Sequence, residues 1–270
     1  MRVGSLFSGI AGIELGLERA GGFETAWFVE CDPYAQVVLR KHYPTIPIYD
    51  DVKNIRWKEL PKIDMLTGGF PCQDVSVANP KGGGVATGKK SSLWKHYAEA
   101  IRTLRPRFAL IENVTNLSNK GLNIVLSDLA KMRYDAEWFD LRAADFGLPH
   151  IRERLFIIAY PPHDHDGEQC EKSTKETHDG HSGRVRVSRL YQELATIKVY
   201  VDASFSREDV EAWYDELSEP AFLGAGNGFF NRKDRTKCVG NAVSPRCAEA
   251  IGRAINESMN VGRREKKKVA

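Results

Sequence analysis

Short apolar runs alternate with longer amphipathic stretches along residues 1–160 of the chain. In the longer stretches apolar residues recur every three or four positions, which is typical of helices that bury one face. Such alternation predicts an α/β fold with a doubly wound, mostly parallel sheet and crossover helices. The predicted strands are Val3–Phe7, Thr25–Val29, Ile63–Thr67, Phe108–Ile111 and Leu155–Ala159, and the predicted helices are Gly12–Ala20, Pro33–His42, Leu93–Thr103 and Leu122–Met132.

The pattern changes after Pro161 and Pro162. Residues 163–183 are polar and almost free of aliphatic side chains, which indicates a linker or loop. Residues 184–231 mix arginines with aromatic residues, and a helical pattern returns over Pro245–Met259. We therefore expect a large α/β domain over residues 1–160, a linker and small lobe over 161–231, and a return to the large domain over 232–270 with a final helix and a basic tail.

Composition is that of an ordinary globular protein. The 270 residues can bury a sizeable core, and 42% of them are hydrophobic and 28% charged. Five cysteines without regular spacing argue against a disulfide framework and favour a reducing cytoplasm. No apolar run approaches the length of a membrane span, and the first residues resemble a strand more than a signal peptide. A net charge of +3 is too small to indicate a nucleic-acid partner on its own.

The segment from Gly68 to Gln73 places a cysteine in a turn after a strand, a position that suits a catalytic nucleophile. Gly68 and Gly69 turn the backbone after a predicted strand, Pro71 fixes one dihedral angle, and Cys72 follows. This places Cys72 at the carboxyl end of a strand, where open α/β sheets carry their chemistry. The pKa of a free thiol is ~8.5, so a cysteine nucleophile at neutral pH requires a positive field or a strongly polarised target. Taken alone, a cysteine at the end of a strand is a small buried apolar residue as often as it is a nucleophile.

A glycine turn and two acids indicate a nucleoside-shaped ligand. The turn Phe7–Gly12 follows the first predicted strand and precedes a helix, where the backbone can approach a ligand closely. Glu30 ends the second strand, the position at which an acid binds ribose hydroxyls. Asp51 could accept a hydrogen bond from an exocyclic amine, although either acid alone is equally consistent with a surface residue. The turn lacks the GxGxxG spacing of nicotinamide dehydrogenases, which disfavours that class.

An acid, two arginines and a second glycine turn complete the candidate chemistry. Glu112 follows the apolar run at 108–111, so its carboxyl group emerges on the edge that carries Cys72. Arg152 and Arg154 lie two residues apart in an extended segment and therefore share a face. A second glycine turn, Gly240–Asn241, precedes the last predicted helix.

In their order along the chain, these motifs closely resemble those of the DNA (cytosine-5) methyltransferases. The resemblance spans the chain except for about residues 161–226, and it implies an S-adenosyl-methionine-dependent methyltransferase fold with a small target-recognition lobe. It rests on Phe7–Gly12, Glu30, Asp51, Gly69–Gln73, Leu93–Trp94, Glu112–Val114, Arg152, Arg154 and Gly240–Asn241.

The resemblance implies transfer of a methyl group from S-adenosyl-L-methionine to C5 of a cytosine flipped out of double-stranded DNA. In that reaction Cys72 attacks C6, Glu112 bonds to N3, Arg154 contacts O2, and Arg152 helps to hold Cys72 and the pocket. The cofactor-binding residues would be Phe7, Ser8, Gly9, Ile10, Gly12, Glu30, Cys31, Asp51, Val52, Gly69, Pro71, Leu93, Asn241 and Ala242. DNA contacts are expected from Gln73, Arg184, Arg186, Arg189, Arg232 and Arg235.

Other functions compete with this hypothesis. Some relatives use the same motifs on RNA, so a tRNA substrate stays open. A non-catalytic DNA-binding relative is disfavoured because all four catalytic positions are intact, and zinc binding is disfavoured because the histidines of residues 163–181 fit no standard finger. We expect a monomer without a membrane partner. A compact chain of this type would suit a restriction-modification system with a companion restriction endonuclease. The recognised DNA sequence cannot be decoded from the lobe.

Overall fold

The computed structural model describes residues 1–71, 93–148, 152–162 and 242–269. Its strands are β1 Arg2–Leu6, β2 Glu24–Val29, β3 Ile48–Tyr49, β4 Met65–Gly68, β5 Phe108–Asn113, β6 Asp135–Arg142 and β7 Glu153–Tyr160. Its α-helices are α1 Gly12–Ala20, α2 Pro33–His42, α3 Trp94–Leu104, α4 Leu117–Lys120, α5 Leu122–Lys131 and α6 Pro245–Val269. Short 3-10 helices lie at Val52–Asn54, Trp57–Glu59 and Ala143–Phe146.

The described strands form one seven-stranded sheet in the order β3-β2-β1-β4-β5-β7-β6. Strands β1 to β5 are parallel, whereas β7 runs antiparallel to both β5 and β6. The strand order reverses between β1 and β4, and ligands of open α/β sheets bind outside the carboxyl ends at such a point. The predicted doubly wound, mostly parallel fold is confirmed.

Helices cover both faces of this sheet. On one face α1 and α6 pack against residues such as Val3, Met65 and Leu110. On the opposite face α3 and α5 pack against neighbours of those residues, including Leu66 and Ile111. Successive side chains of a strand point to opposite faces, so central strands covered on both sides carry unbroken apolar runs. This is why β4 and β5 are conspicuous in the sequence.

The predicted elements agree closely with the structure, with three omissions. Helices α1 and α2 have the predicted bounds, α3 and α5 differ from their predicted bounds by one residue at each affected end, and α6 continues ten residues beyond the predicted Met259. The pattern misses β3, with two residues, and α4, with one turn. It also misses β6, an edge strand in which charged residues interrupt the apolar ones.

The C-terminal helix α6 lies directly on α1. An ideal Cβ on Gly16 would lie 2.2 Å from the carbonyl oxygen of Pro245, and one on Gly12 would lie 2.3 Å from that of Val243. Farther along, Asn256 Nδ2 donates to the Gly21 carbonyl oxygen at 2.8 Å. The two helices therefore run in the same direction, starting at the carboxyl edge of the sheet. None of the described helices is long and apolar enough to cross a membrane.

Candidate active site

The turn after β1 and the end of β2 enclose an open space at the carboxyl edge of the sheet. Glu30 is buried there, and its two carboxylate oxygens accept hydrogen bonds from the backbone amides of Gly9 and Asp32, each at 2.7 Å. Gly9 has a φ of 55°, a left-handed conformation that favours glycine. No described atom lies within 4 Å of an ideal Cβ at Gly9. The backbone thus leaves room for a ligand beside a fixed carboxylate.

Burial dominates the electrostatics of Glu30. Desolvation raises its pKa, and the hydrogen bonds from Asp32 and Gly9 partly counteract that effect. A carboxylate has about four lone-pair positions, so these backbone hydrogen bonds leave capacity for an external donor. The carboxyl group is therefore held in a fixed orientation with acceptor capacity left for hydroxyl groups.

Asp51, Val52 and Cys31 extend this space along the sheet edge. The Asp51 carboxylate accepts from the Lys53 amide at 3.0 Å and so caps the following 3-10 helix, which places Val52 in the core. Desolvation, together with the negative charges of Glu30 and Asp51, raises the pKa of the Cys31 thiol. The exposed Cys31 thiol therefore stays neutral and is a poor nucleophile.

The reversed direction of β7 brings Arg154 to Glu112. Glu112 lies near the end of β5 and pairs in register with Phe156 of the antiparallel β7, so the beginning of β7 meets the end of β5. Arg154 Nε lies 3.0 Å from Glu112 Oε1, with only 22% of the arginine and 11% of the glutamate side chain exposed. The sequence predicted only that Glu112 lies at this sheet edge, and the structure adds Arg154 and the ion pair between them.

Opposing influences act on the Glu112 carboxyl group. Desolvation by burial raises its pKa, while the positive charges of Arg154 and Arg152 and the hydrogen bond from Arg154 lower it, and burial dominates. A glutamate with a raised pKa keeps its proton at higher pH than a surface glutamate does. With one oxygen bound to arginine, the other can donate that proton to a bound base.

Gly69 lies against the same carboxyl group. An ideal Cβ at this position would be 2.4 Å from Glu112 Oε2, so any side chain would displace the carboxyl group or the strand. Next to it, Asn113 Nδ2 donates to the Phe70 carbonyl oxygen at 3.1 Å. The segment that leads to Cys72 is therefore fixed on both sides by consecutive residues of β5.

The two chain ends that flank residues 72–92 lie close together. Leu93 immediately precedes α3, and the ring of Trp94 lies 5.6 Å from that of Phe70, measured between centroids. Pro71 follows Phe70 directly. Residues 71 and 93 therefore lie near each other, and Phe70 directly follows Gly69, which lies against Glu112.

The remaining predicted site residues fall into two groups. Phe7, Ser8, Gly9, Ile10 and Gly12 form the β1–α1 turn, and Ala242 precedes Val243, whose backbone contacts Gly12. Eight predicted residues lie outside the described residues: Cys72, Gln73, Arg184, Arg186, Arg189, Arg232, Arg235 and Asn241.

The sequence motifs miss two residues whose side chains make structural hydrogen bonds in this region, Asp32 and Glu14. Asp32 caps α2 through its side chain and holds Glu30 through its backbone, and an Asp-Pro pair at a helix start is a recognisable signal. Glu14 is a charged residue on the buried face of α1, which is a signal too. Asn113 belongs to the Glu112–Val114 block on which the resemblance rests, but only the tertiary structure shows its hydrogen bond to Phe70.

Comparisons with known proteins are consistent with this geometry. A model of the family described as C-5 cytosine-specific DNA methylase matches residues 1–215. Type II methyltransferase M2.BsuMI of Bacillus subtilis is 41% identical over 167 residues, which cover 59% of this chain and 42% of the relative. Type II methyltransferase M.Sau3AI of Staphylococcus aureus is 30% identical over 220 residues, or 75% of this chain and 52% of the relative. The chain thus spans about half the length of these curated relatives.

A solved structure shares the fold. A prophage-encoded protein of E. coli, solved as a candidate DNA modification methyltransferase, has a TM-score of 0.57 at 20% identity. The match covers 96% of this chain and 99% of that protein. At this identity the likeness concerns the fold alone.

Proposed function

The chain belongs to the family of C-5 cytosine-specific DNA methylases, and we propose that it transfers a methyl group from S-adenosyl-L-methionine to C5 of cytosine in double-stranded DNA. The observation that carries this proposal is the buried Glu112, paired with Arg154 and placed against Gly69, three residues before Cys72. A shielded carboxyl group beside an arginine suits a neutral base with a ring nitrogen and a carbonyl oxygen, as cytosine has.

The β1, β2 and β3 loops fit the cofactor. The open space over Gly9 admits a ligand, Glu30 offers acceptor oxygens for ribose hydroxyls, and Asp51 lies along the same edge for the adenine amine. Val52 supplies an apolar contact for the adenine ring. When bound there, S-adenosyl-L-methionine supplies an activated methyl group.

Residues on the base side prepare cytosine to accept that group. C5 becomes nucleophilic only after a bond forms at C6, and Cys72 thiolate forms that bond as Glu112 donates its proton to N3. Arg154 orients Glu112 and contacts O2, so negative charge does not accumulate on the ring. After methylation, N3 returns its proton to Glu112 and the C5 proton leaves to a base. Elimination of the thiolate then restores the C5–C6 double bond and frees Cys72. The target lies inside a stacked duplex, so the base must first be flipped out.

Two substitutions test this assignment by transfer of labelled methyl groups to duplex DNA. Cys72→Ser should abolish transfer, because a hydroxyl group at neutral pH is a much weaker nucleophile than a thiolate. Glu112→Gln should lower kcat by roughly 10²–10⁴-fold, since the amide cannot donate the proton to N3 in the same way. Both variants should keep their affinity for S-adenosyl-L-methionine in calorimetry, and exposed Glu24→Gln is the matched control.

Full activity of Cys72→Ser would exclude the covalent mechanism. Loss of cofactor binding in Glu112→Gln would mean that this carboxyl group serves the cofactor and not the base. The same assay with tRNA in place of duplex DNA separates the competing substrate. Transfer to tRNA alone would contradict the proposal.

The names of relatives support two biological settings. M2.BsuMI and M.Sau3AI are Type II methyltransferases, which supports a companion restriction endonuclease. M.SPRI of Bacillus phage SPR, 37% identical over 169 residues, is an orphan methyltransferase. Of the two, we propose the companion endonuclease, and bisulfite sequencing of host DNA would identify the protected sites that such a nuclease must share.

A further inference from the structure

A buried carboxyl group outside the proposed chemistry lies between α1 and the sheet. Glu14 is 1% exposed, and its Oε1 accepts a hydrogen bond from Thr67 Oγ1 of β4 at 2.6 Å. The Ser5 hydroxyl of β1 also bonds to this carboxyl group. Ser5 and Thr67 are themselves fully buried. A leucine would fill this position on the apolar face of α1, so packing alone does not account for a carboxyl group here.

The hydrogen bonds continue from Ser5 into the cofactor side of the cleft. Ser5 Oγ lies 2.8 Å from Ser8 Oγ, and Ser8 belongs to the β1–α1 turn. The next residue, Gly9, is the one that Glu30 holds. One end of the chain of hydroxyl groups is therefore adjacent to the open space over Gly9.

The other end leads to the base side. Thr67 is two residues before Gly69, which lies against Glu112. Between them, Gly68 is fixed by close contact, since an ideal Cβ there would lie 2.1 Å from the Leu6 carbonyl oxygen. Because this contact leaves Gly68 little room to adjust, a displacement of Thr67 along β4 is expected to shift Gly69 as well.

Proton counting makes these bonds interdependent. The Ser5 hydroxyl has one proton, so it can donate to Glu14 or to Ser8 but not to both. The Ser8 hydroxyl has alternative acceptors in the Ser5 and Val29 carbonyl oxygens, each at 3.3 Å. A ligand that engages Ser8 therefore changes the number of donors on Glu14, and with it the strength of the bond to Thr67.

We propose that Glu14 is a positioning residue, which couples the Ser8 turn on the cofactor side to the Thr67–Gly69 segment on the base side through Ser5. The identity of the two ligands rests on the proposed function, whereas the link between the two sides rests on the hydrogen bonds. In this scheme occupation of the cofactor space tightens the strand against which Glu112 lies.

A double-mutant cycle between Ser8→Ala and Thr67→Val tests the coupling. The free energy of unfolding and kcat are measured for both single variants and the double variant, first with Ser5 present and then in Ser5→Ala. With Ser5 present, the change in kcat of the double variant should differ from the product of the two single-variant changes by at least about threefold. In Ser5→Ala this deviation should vanish, because the middle hydroxyl group is missing. The exposed Ser118, whose hydroxyl bonds only locally to Thr115, gives the matched control in Ser118→Ala with Thr67→Val.

Hydrogen exchange provides a readout that does not require catalysis. Saturation with S-adenosyl-homocysteine should slow exchange of the Gly68–Phe70 amides by roughly tenfold in the wild type and leave it unchanged in Ser5→Ala. Additive effects in the cycle, or equal protection in Ser5→Ala, would overturn the coupling. If the coupling is found but the wild type methylates no cytosine, the proposed function fails while the link between the two sides stands.

Discussion

At the scale of single residues, the reactivity of Glu112 depends on the balance between burial and its two arginines. Burial raises its pKa and the arginines lower it. The protonated carboxyl group is the proton donor, so the proposed activity is present below this pKa and is lost as pH rises through it. In Arg154→Gln one lowering influence is removed, and the alkaline limb of the kcat/KM profile should move to higher pH while overall activity falls. Exposed Arg102→Gln should leave the limb in place, and an unmoved limb in both variants would argue against Glu112 as donor.

Gly69 offers a steric test at the same scale. Gly69→Ala places a Cβ about 2.4 Å from Glu112 Oε2, so the carboxyl group must shift. Because catalysis requires positioning to within a fraction of an ångström, kcat should fall at least about a hundredfold, with cofactor affinity retained. Gly21→Ala is the control for lost glycine flexibility, since Gly21 has a φ of 80° but open space around its Cβ. Equal activity losses in the two variants would show that general destabilisation is responsible.

The buried Glu14 predicts a pH dependence of stability. Its pKa is raised in the folded protein, chiefly by desolvation, so the folded state binds its proton more tightly than the unfolded state does. Its contribution to stability is fully present below its ordinary pKa and is lost as pH rises through the raised value. Glu14→Gln should flatten this part of the stability profile in urea denaturation, and Glu24→Gln should not. An unchanged slope in Glu14→Gln would mean that the group does not titrate there.

Single residues also show where sequence reasoning ends. The position of Glu112 at the carboxyl edge of the sheet is predictable, because it follows the apolar run of a predicted parallel strand. The arrival of Arg154 at the same edge and its 3.0 Å contact with Glu112 are not predictable in this way, since both depend on β7 running antiparallel to β5. The Glu14 bond to Thr67 likewise depends on how α1 packs on β4.

At the scale of elements, close contact between α1 and α6 connects distant parts of the chain. Gly16→Val would place side-chain atoms into the Pro245 carbonyl and the Ala248 methyl group. The free energy of unfolding should fall by about 1–3 kcal/mol, and cofactor affinity should fall with it, because α6 carries the Ala242–Val243 segment against the β1–α1 turn. Denaturant unfolding and calorimetry measure the two effects, with exposed Arg19→Ala on the same helix as control. Unchanged stability in Gly16→Val would show that α6 can move away without loss.

Helix bounds were more predictable than edge strands for physical reasons. Asp32 and Pro33 start α2, and Gly21 follows the end of α1, so local chemistry marks these ends. Edge strands such as β6 have one side of their backbone unpaired and carry charged residues, which weakens the alternating pattern. The reversal of β7 has no local signal at all.

At the scale of the whole molecule, recognition of the DNA sequence is expected from about residues 184–231, a segment to which the motifs of the reaction assign no role. Discrimination among DNA sites requires side chains that reach base edges, and arginines of this segment are suited to that role. Exchange of residues 184–231 with the corresponding lobe of a relative of different specificity should transfer the methylation pattern in bisulfite sequencing. Exchange of residues 122–131, helix α5, is the control and should leave the pattern unchanged. A lobe chimera with its original pattern would place recognition in the segment after Cys72.

The antiparallel course of β7 limits how far the chain can be shortened. Tyr160 ends β7 at the amino edge of the sheet, whereas Val243 lies beside Gly12 at the carboxyl edge. A linker that replaces residues 163–241 must therefore cross the height of the sheet, which for the eight residues of β7 is ~26 Å at about 3.3 Å per residue. It must also cross the three strand spacings from β7 to β1, roughly 14 Å at about 4.8 Å each, so that the direct distance is roughly 30 Å. Linkers below about nine residues would pull α6 away from α1, and clearly longer flexible ones would leave the helices in contact. The smallest single-chain core thus has a lower length limit that is set by strand direction.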